Sequence, residues 1–191
     1  MQMKLEVENL TKYFDDKLIF KNVTFSVKDS ERLAIIGKSG SGKTTLIKII
    51  MGLTNSNSGK IIFDTPPEFS VVFQENLLFE ERTVYENLIF CCEIDKTTAL
   101  KLLSELELED YINTKVKALS GGMKRRIAIL RAIVKRGNIF IFDEAIREVD
   151  GYTANLIISF LNKRLKNAPL IYITHDESEI EKLNFDKIIK L

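Results

Sequence analysis

A glycine-rich segment carries the clearest chemistry in this sequence. It reads Gly-Lys-Ser-Gly-Ser-Gly-Lys-Thr over residues 37–44, between the apolar run Leu33–Ile36 and the mostly apolar segment Thr45–Ile50. Glycines allow a tight turn that points successive N–H groups inward, and the following helix start adds partial positive charge, so the segment predicts a cradle for phosphate oxygens. Lys43 adds a full charge at the β- and γ-phosphates, and the Thr44 hydroxyl can complete a magnesium shell. The alternative is a chance glycine turn, which the order strand, loop, helix argues against.

A second pair of glycines stands at the start of a later helix. Ser120 precedes Gly121 and Gly122, and the helical run Ile127–Ile133 follows. A serine N-cap followed by glycines leaves bare N–H groups at a helix start, which is a second candidate anion site. The alternative is an ordinary capped helix whose arginines form a solvated face.

Acidic residues and the single histidine follow two later apolar runs. Asp143 and Glu144 come after Ile139–Phe142, and His175 comes soon after Leu170–Ile173. Such runs are typical of parallel strands buried on both faces, whose carboxyl ends share one edge of the sheet with the glycine loop. Asp143 is then placed to hold Mg²⁺ and Glu144 to orient an attacking water. The alternatives are strand-end caps for the acids and a packed or surface residue for the histidine.

Composition narrows the class of protein. The chain has 191 residues, 45% of them hydrophobic, which is enough for one or at most two small domains with a real core. Its 28 Lys and Arg against 27 Asp and Glu leave a net charge of +1, so there is no overall basic footprint for nucleic acid. The chain has no apolar leader or spanning segment, and we expect it to be soluble and unexported. Adjacent Cys91 and Cys92 cannot easily meet disulfide geometry and are predicted to be buried, reduced thiols.

The spacing of apolar residues predicts the strands and helices that must position these residues, and this spacing changes along the chain. Predicted strands lie at residues 5–7, 18–20, 23–27, 33–36, 60–63, 70–73, 139–142, 170–173 and 187–191, and predicted helices at 45–50, 127–133, 152–167 and 177–183. From Thr83 to Val116 apolar residues recur at helical spacing, which predicts an inserted helical unit. The pattern as a whole predicts an α/β fold with a mainly parallel sheet.

With these segments in this order, the sequence resembles the nucleotide-binding subunit of ATP-binding cassette (ABC) transporters over nearly its whole length. The resemblance implies that residues 37–44 are the Walker A loop, 119–123 the ABC signature and 139–144 the Walker B strand with its catalytic glutamate. It also implies that His175 is the switch histidine. Gln74 ends a segment that resembles the Q-loop, so it should touch the magnesium or the attacking water and sense a membrane partner.

The resemblance further implies which residues bind ATP and Mg²⁺. The implied catalytic residues are Lys43, Gln74, Glu144 and His175. The implied ATP-binding residues are Phe14, whose ring would stack on adenine, Gly37, Lys38, Ser39, Gly40, Ser41, Gly42, Lys43, Thr44, Thr45, Ser120, Gly121 and Gly122. The implied magnesium residues are Thr44, Gln74 and Asp143. Two copies of the chain would hold two ATP molecules at their interface, each between Walker A of one copy and the signature of the other.

The implied fold is a single ABC ATPase domain over residues 1–191. Residues 1–82 and 117–191 would form an N-terminal antiparallel β subdomain and the P-loop core, and residues 83–116 a helical subdomain. The implied activity is hydrolysis of ATP to ADP and phosphate in a homodimer, which powers transport by a separate integral-membrane permease. The protein would then lie in the cytoplasm, on the inner face of the cell membrane, and no nucleic-acid partner is expected.

The segment after Gln74 bears on the kind of transporter. Together with the short arm before it, this segment is most similar to the nitrate/sulfonate/taurine group of importers. The apolar residues Leu77, Leu78 and Phe79 either line a groove for a permease helix or belong to the core of the helical unit.

Several positions depart from the family pattern. Met123 replaces the usual glutamine, and Ala145 replaces the usual proline after Walker B. Arg147–Val149 replace the first three residues of the usual Ser-Ala-Leu-Asp of the D-loop, and Asp150 keeps the fourth, so communication between two ATP sites is less certain. The arm at residues 59–74 is compressed, and the chain stops one strand after the switch histidine, so no regulatory C-terminal domain is expected. Two other functions stay open, a non-transport ABC ATPase such as an iron–sulfur assembly factor and a P-loop small-molecule kinase. The second glycine-capped helix argues against the kinase.

Overall fold

A computed structural model describes residues 3–191 of the chain, so Met1 and Gln2 of the predicted domain lie outside the described residues. The strands are β1 (Met3–Phe14), β2 (Lys17–Lys28), β3 (Arg32–Ile36), β4 (Ser58–Phe63), β5 (Phe69–Val72), β6 (Ile139–Asp143), β7 (Leu170–Ile173) and β8 (Lys187–Lys190). The helices are α1 (Lys43–Ile50), α2 (Val84–Ile89), α3 (Lys96–Ser104), α4 (Gly121–Lys135), α5 (Gly151–Arg164) and α6 (Glu177–Leu183), with short 3₁₀ turns at Glu109–Tyr111 and Val116–Ala118. Within residues 3–191, none of the helices has the length and apolar character needed to cross a membrane.

The larger sheet is parallel and has the strand order β5, β6, β7, β3, β8. The smaller sheet is antiparallel, with β1 between β2 and β4. Because parallel strands end at the same edge, the residues that follow β5, β6, β7 and β3 stand in one row at that edge. Gly37 and Glu144 come directly after β3 and β6, and Gln74 and His175 come two residues after the ends of β5 and β7. The predicted α/β class with a mainly parallel sheet is confirmed.

Strand β6 divides the hydrophobic core into two clusters. Ile139 and Ile141 face a cluster that includes α1 and the smaller sheet. Phe140 and Phe142 face a second cluster that includes α4, α5 and the helices α2 and α3 of the inserted unit. Successive side chains of a strand point to opposite faces, so a strand covered on both faces must be apolar at every position. This explains the uninterrupted apolar run before Asp143.

The N-terminal strands are longer than predicted. The segments expected at 18–20 and 23–27 form one strand, β2, and β1 continues past residue 7 to Phe14. The two strands are hard to recognise in the sequence because β1 and β2 pair irregularly. Asn9 and Asn22 have positive φ angles of 48° and 54°, and the β1–β2 register shifts on both sides of Leu10. A bulged strand does not keep the period of two on which the prediction depends.

Two further predictions need correction. The helix expected to reach residue 167 ends at Arg164, where Leu165 closes the last turn by donating to the carbonyl of Leu161, and Pro169 then starts the entry into β7. The cysteines are not buried thiols, because Cys91 is exposed and Cys92 half-buried, although both are free. They follow the end of α2 at Ile89, so they lie in a turn at the surface instead of on the inner face of a helix.

Candidate active site

The glycine loop joins β3 to α1 in a conformation that requires glycine. Gly40 and Gly42 have φ angles of 80° and 96°, and a Cβ on Gly42 would lie 2.5 Å from Cγ2 of Ile19. No side chain caps α1 and its first turn holds no acidic residue, so its N–H groups remain available to an anion. Lys43 is buried, and its Nζ donates to the carbonyls of Gly37 and Lys38 at 2.8 and 3.0 Å. The lysine charge therefore lies within the loop.

Thr44 and Asp143 join the loop to the end of β6. The Thr44 hydroxyl donates to Oδ2 of Asp143 at 2.8 Å. Burial raises the pKa of Asp143, and the hydrogen bond from Thr44 and the charge of Lys43 offset part of that rise. The hydroxyl, this carboxylate and the amide of Gln74 border the same cavity and are all hard oxygen donors, which suit Mg²⁺.

A cavity of about 270 Å³ opens in front of the loop. It is lined by Ile19, Ser39, Gly40, Gly42, Lys43, Thr44, Thr45, Gln74, Asp143, Glu144 and Arg147. Most of the residues predicted from the glycine loop and from Walker B thus come together with Gln74. The Oγ of Ser41 is buried inside the loop and has no hydrogen-bond partner within residues 3–191. Its hydroxyl could therefore donate a hydrogen bond to a bound oxyanion.

Glu144 is held between two basic side chains. Its Oε1 lies 3.2 Å from Nδ1 of His175, and its Oε2 accepts a hydrogen bond from Nη1 of Arg147 at 2.7 Å. Burial raises the pKa of Glu144, but the bonds and charges of Arg147 and His175 lower it by more, so the net pKa is below its usual value. The carboxylate is therefore ionised at neutral pH, as a general base must be.

Several predicted residues do not line this cavity. Gly37, Lys38 and Ser41 belong to the loop behind it, and His175 adjoins it only through Glu144, whereas Phe14 and the signature residues lie apart from it. Phe14 stands at the end of β1 with 47% of its surface exposed, and the Lys12 ammonium lies 4.6 Å from its ring centroid. Ser120 caps α4 by accepting a hydrogen bond from the N–H of Met123 at 3.3 Å. A Cβ on Gly121 or Gly122 would meet no atom within 4 Å, so this helix start is open to the surface.

Sequence reasoning missed the role of Arg125. The alternative that the arginines of this helix form a solvated face is wrong for Arg125, since only 4% of its surface is exposed. Its guanidinium donates to the carbonyls of Phe73, Gln74, Asp143, Glu144 and Ala145 and to the side chain of Asn76. The spacing from Arg125 to the buried Ala128, Ile129 and Ala132 is three, four and seven residues, which was the available signal.

Comparison with known proteins decides the family. The model of the family described as ABC transporter matches residues 20–147. The chain belongs to the ABC transporter family. The spermidine/putrescine import ATP-binding protein PotA of Mycoplasma mycoides is 33% identical over 97% of this chain and 58% of its own length. YurJ of Bacillus subtilis, named as an uncharacterized ABC transporter ATP-binding protein, is 32% identical over 97% of this chain and 55% of its own.

The structural comparison agrees with this family. A solved structure described as the ATP binding subunit of an ABC transporter superposes with a TM-score of 0.87 at 27% identity, over 98% of this chain and 85% of that one. The predicted resemblance and the ABC ATPase fold are confirmed, and membership of this family argues against the kinase alternative. The chain spans little more than half the length of the two curated relatives. The closer similarity to nitrate/sulfonate/taurine importers stays a prediction.

Proposed function

We propose that this ABC transporter chain binds ATP with Mg²⁺ and hydrolyses it between two copies of itself, as one domain with residues 83–116 as its helical part. One observation carries the proposal. The hydrogen bond from Thr44 to Asp143 brings the glycine loop against the end of β6, with Glu144 next along the chain and bordering the same cavity. A phosphate-binding loop, hard oxygen donors and an ionised general base are what hydrolysis of a phosphoanhydride needs.

The roles of the side chains follow from their positions. The Lys43 ammonium and the N–H groups of the loop stabilise negative charge on the transferred phosphoryl group. Thr44, Gln74 and Asp143 would hold Mg²⁺, which neutralises charge on the β- and γ-phosphates when it is bound. Glu144 orients and activates the attacking water, and His175, beside its Oε1, completes that edge of the site.

A second copy of the chain accounts for the signature glycines. Ser120, Gly121 and Gly122 form an open helix start, yet they do not line the cavity of their own chain. A helix start of this kind binds anions, so it can complete a phosphate site on another copy. We propose that each ATP lies between the cavity of one copy and the signature of its partner, with Phe14 stacked on adenine.

An apolar surface patch supports a membrane partner. Leu77, Phe79, Ile89 and Phe90 are exposed, and the rings of Phe79 and Phe90 lie 4.4 Å apart between centroids. Leu78, by contrast, packs against the helical core, so the core alternative holds for that residue. We propose that this patch receives a helix of a permease at the cytoplasmic face of the membrane, and the import name of the Mycoplasma relative favours an importer.

Mixing two inactive variants tests the composite site. Ser120→Arg places a large side chain over the signature glycines but leaves the cavity intact. Lys43→Ala removes the lysine charge from the cavity but leaves the signature intact. Each protein alone should have no ATPase activity, whereas the mixture should recover part of it, because a mixed dimer contains one intact site. Gly151→Ala is a matched surface control, since a Cβ at this other helix start meets no atom within 4 Å. Full activity of Ser120→Arg as a monomer would overturn the two-copy proposal.

A further inference from the structure

Arg147 makes a contact that the proposed reaction does not use. It stands where the family pattern has the first residue of the D-loop, and its Nη1 donates to Oε2 of Glu144 at 2.7 Å. Since Oε1 of Glu144 lies 3.2 Å from His175, both carboxylate oxygens already have a partner. Only 14% of the Glu144 side chain is exposed, so few directions remain from which a water can approach.

The local fold imposes this contact. The N–H of Arg147 donates to the carbonyl of Glu144 at 3.2 Å, which closes a tight turn. The two central residues, Ala145 and Ile146, are buried in the core, and the flanking Glu144 and Arg147 both line the cavity. The buried Arg125 fixes the carbonyls of Glu144 and Ala145 at 2.7 Å each. The turn is therefore anchored, while the Arg147 side chain beyond it is not.

Arg147 is also able to leave. Its side chain is 45% exposed, and its Nε lies 3.3 Å from Oε1 of Glu148, a second carboxylate that can keep the guanidinium paired. It borders the same cavity as Lys43, where phosphate groups would compete with Glu144 for its donors. A general base must offer an oxygen lone pair to the water whose proton it accepts, and Arg147 occupies one approach to Oε2.

We propose that Arg147 is a positioning residue that clamps Glu144 and must release its Oε2 before Glu144 can act on water. The inference rests on the proposed ATPase function. Release of the clamp is then part of the barrier to hydrolysis. The cost is that of breaking one partly exposed ion pair, which is small but measurable in a rate.

The test is the ATPase activity of Arg147→Ala in the full chain. Its kcat should rise by roughly 1.5- to fivefold, the range expected when a weak, partly exposed ion pair no longer has to break. Arg147→Lys keeps a donor and should stay near the wild-type rate. Arg164→Ala, which removes another arginine paired with a glutamate, Glu105, is the matched control and should leave kcat unchanged.

A double variant separates the clamp from a general change in the site. In a Glu144→Gln background, Arg147→Ala should produce no increase, because the increase requires the carboxylate. A kcat of Arg147→Ala that is unchanged or lower than wild type would overturn the clamp. So would an equal increase in the Glu144→Gln background.

A spectroscopic readout distinguishes failure of the clamp from failure of the proposed function. The carboxyl ¹³C resonance of Glu144, assigned by its loss in Glu144→Gln, should shift in Arg147→Ala and not in Arg164→Ala. A non-hydrolysable ATP analogue with Mg²⁺ should move the wild-type resonance toward its position in Arg147→Ala. If no protein hydrolyses ATP, the proposed function fails, and an unchanged resonance in Arg147→Ala then overturns the clamp separately.

Discussion

The phenol of Tyr172 donates a hydrogen bond to Oε2 of Glu179 at 2.9 Å, and both side chains are buried. Tyr172 on β7 pairs with Phe142 on β6, and Phe142 directly precedes Asp143. The hydrogen bond from Tyr172 to Glu179 therefore ties α6 to the centre of the sheet. Burial raises the pKa of Glu179, and the hydrogen bonds from Thr174 and Tyr172 offset only part of that rise. Ionisation of Glu179 therefore costs more free energy in the folded chain than in the unfolded chain.

The first prediction is a pH dependence of stability. The folded pKa of Glu179 lies above its ordinary 4.5, so the folded chain binds this proton more tightly than the unfolded chain. The contribution of Glu179 to the free energy of unfolding is thus highest below 4.5 and falls as pH rises through the folded pKa. Glu179→Gln should flatten this decline in urea unfolding measured at several pH values. The exposed Glu181→Gln on the same helix should not, and equal curves for wild type and Glu179→Gln would contradict the assignment.

The second prediction concerns nucleotide binding. Lys43→Ala should lose ATP binding at micromolar nucleotide, because Lys43 brings the charge that lies within the loop. Titration calorimetry measures the affinity, and circular dichroism should show that the chain still folds. Lys48→Ala removes an exposed lysine from the same helix and should bind ATP normally. Near-normal affinity of Lys43→Ala would remove the assignment of the loop.

The third prediction separates binding from chemistry. Glu144→Gln should keep ATP affinity but lower turnover by about 10²- to 10⁴-fold, the usual effect of losing a general base. With ATP and Mg²⁺ the variant should elute as a dimer in gel filtration, because ATP stays bound between the copies. Glu177→Gln, an exposed glutamate near the switch histidine, is the control. If Glu144→Gln still hydrolyses ATP at the wild-type rate, the base is another residue.

The fourth prediction concerns Arg125. Arg125→Leu leaves buried carbonyls without a donor, which should lower the free energy of unfolding by about 3 kcal/mol or more. Its neighbour Lys124 makes a single ion pair with Glu80 at 2.7 Å, so Lys124→Ala should cost less than about 1 kcal/mol. Urea unfolding of the two variants gives the comparison. Equal losses would mean that Arg125 is not the anchor described above.

Much of the architecture could be predicted because the parallel strands are covered on both faces. An uninterrupted apolar run such as Ile139–Phe142 leaves few other structures open, and strand β7 and helix α6 begin and end where the sequence predicts. The glycine loop was readable for a similar reason, since a conformation such as that of Gly42 excludes other residues.

The parts that could not be predicted depend on contacts distant in sequence or on local irregularity. The bulges of β1 and β2 break the alternation by which strands are recognised. Arg125 has the residue type of a surface position and is buried only because carbonyls from two other segments converge on it. The pairing of Arg147 with Glu144 depends on a turn whose centre is buried, and neither residue type indicates that.

Two of the three arginines of α4, Arg125 and Arg131, hold a neighbouring segment of the chain. Arg125 holds the carbonyls of Phe73 and Gln74, and Arg131 holds those of Asn76 and Leu77. Residues 73–77 are therefore held to α4 at both ends and should move with it. A displacement of the exposed Leu77 side chain would therefore be passed to α4. It would shift Gln74 at the cavity and the signature glycines at the start of the helix together.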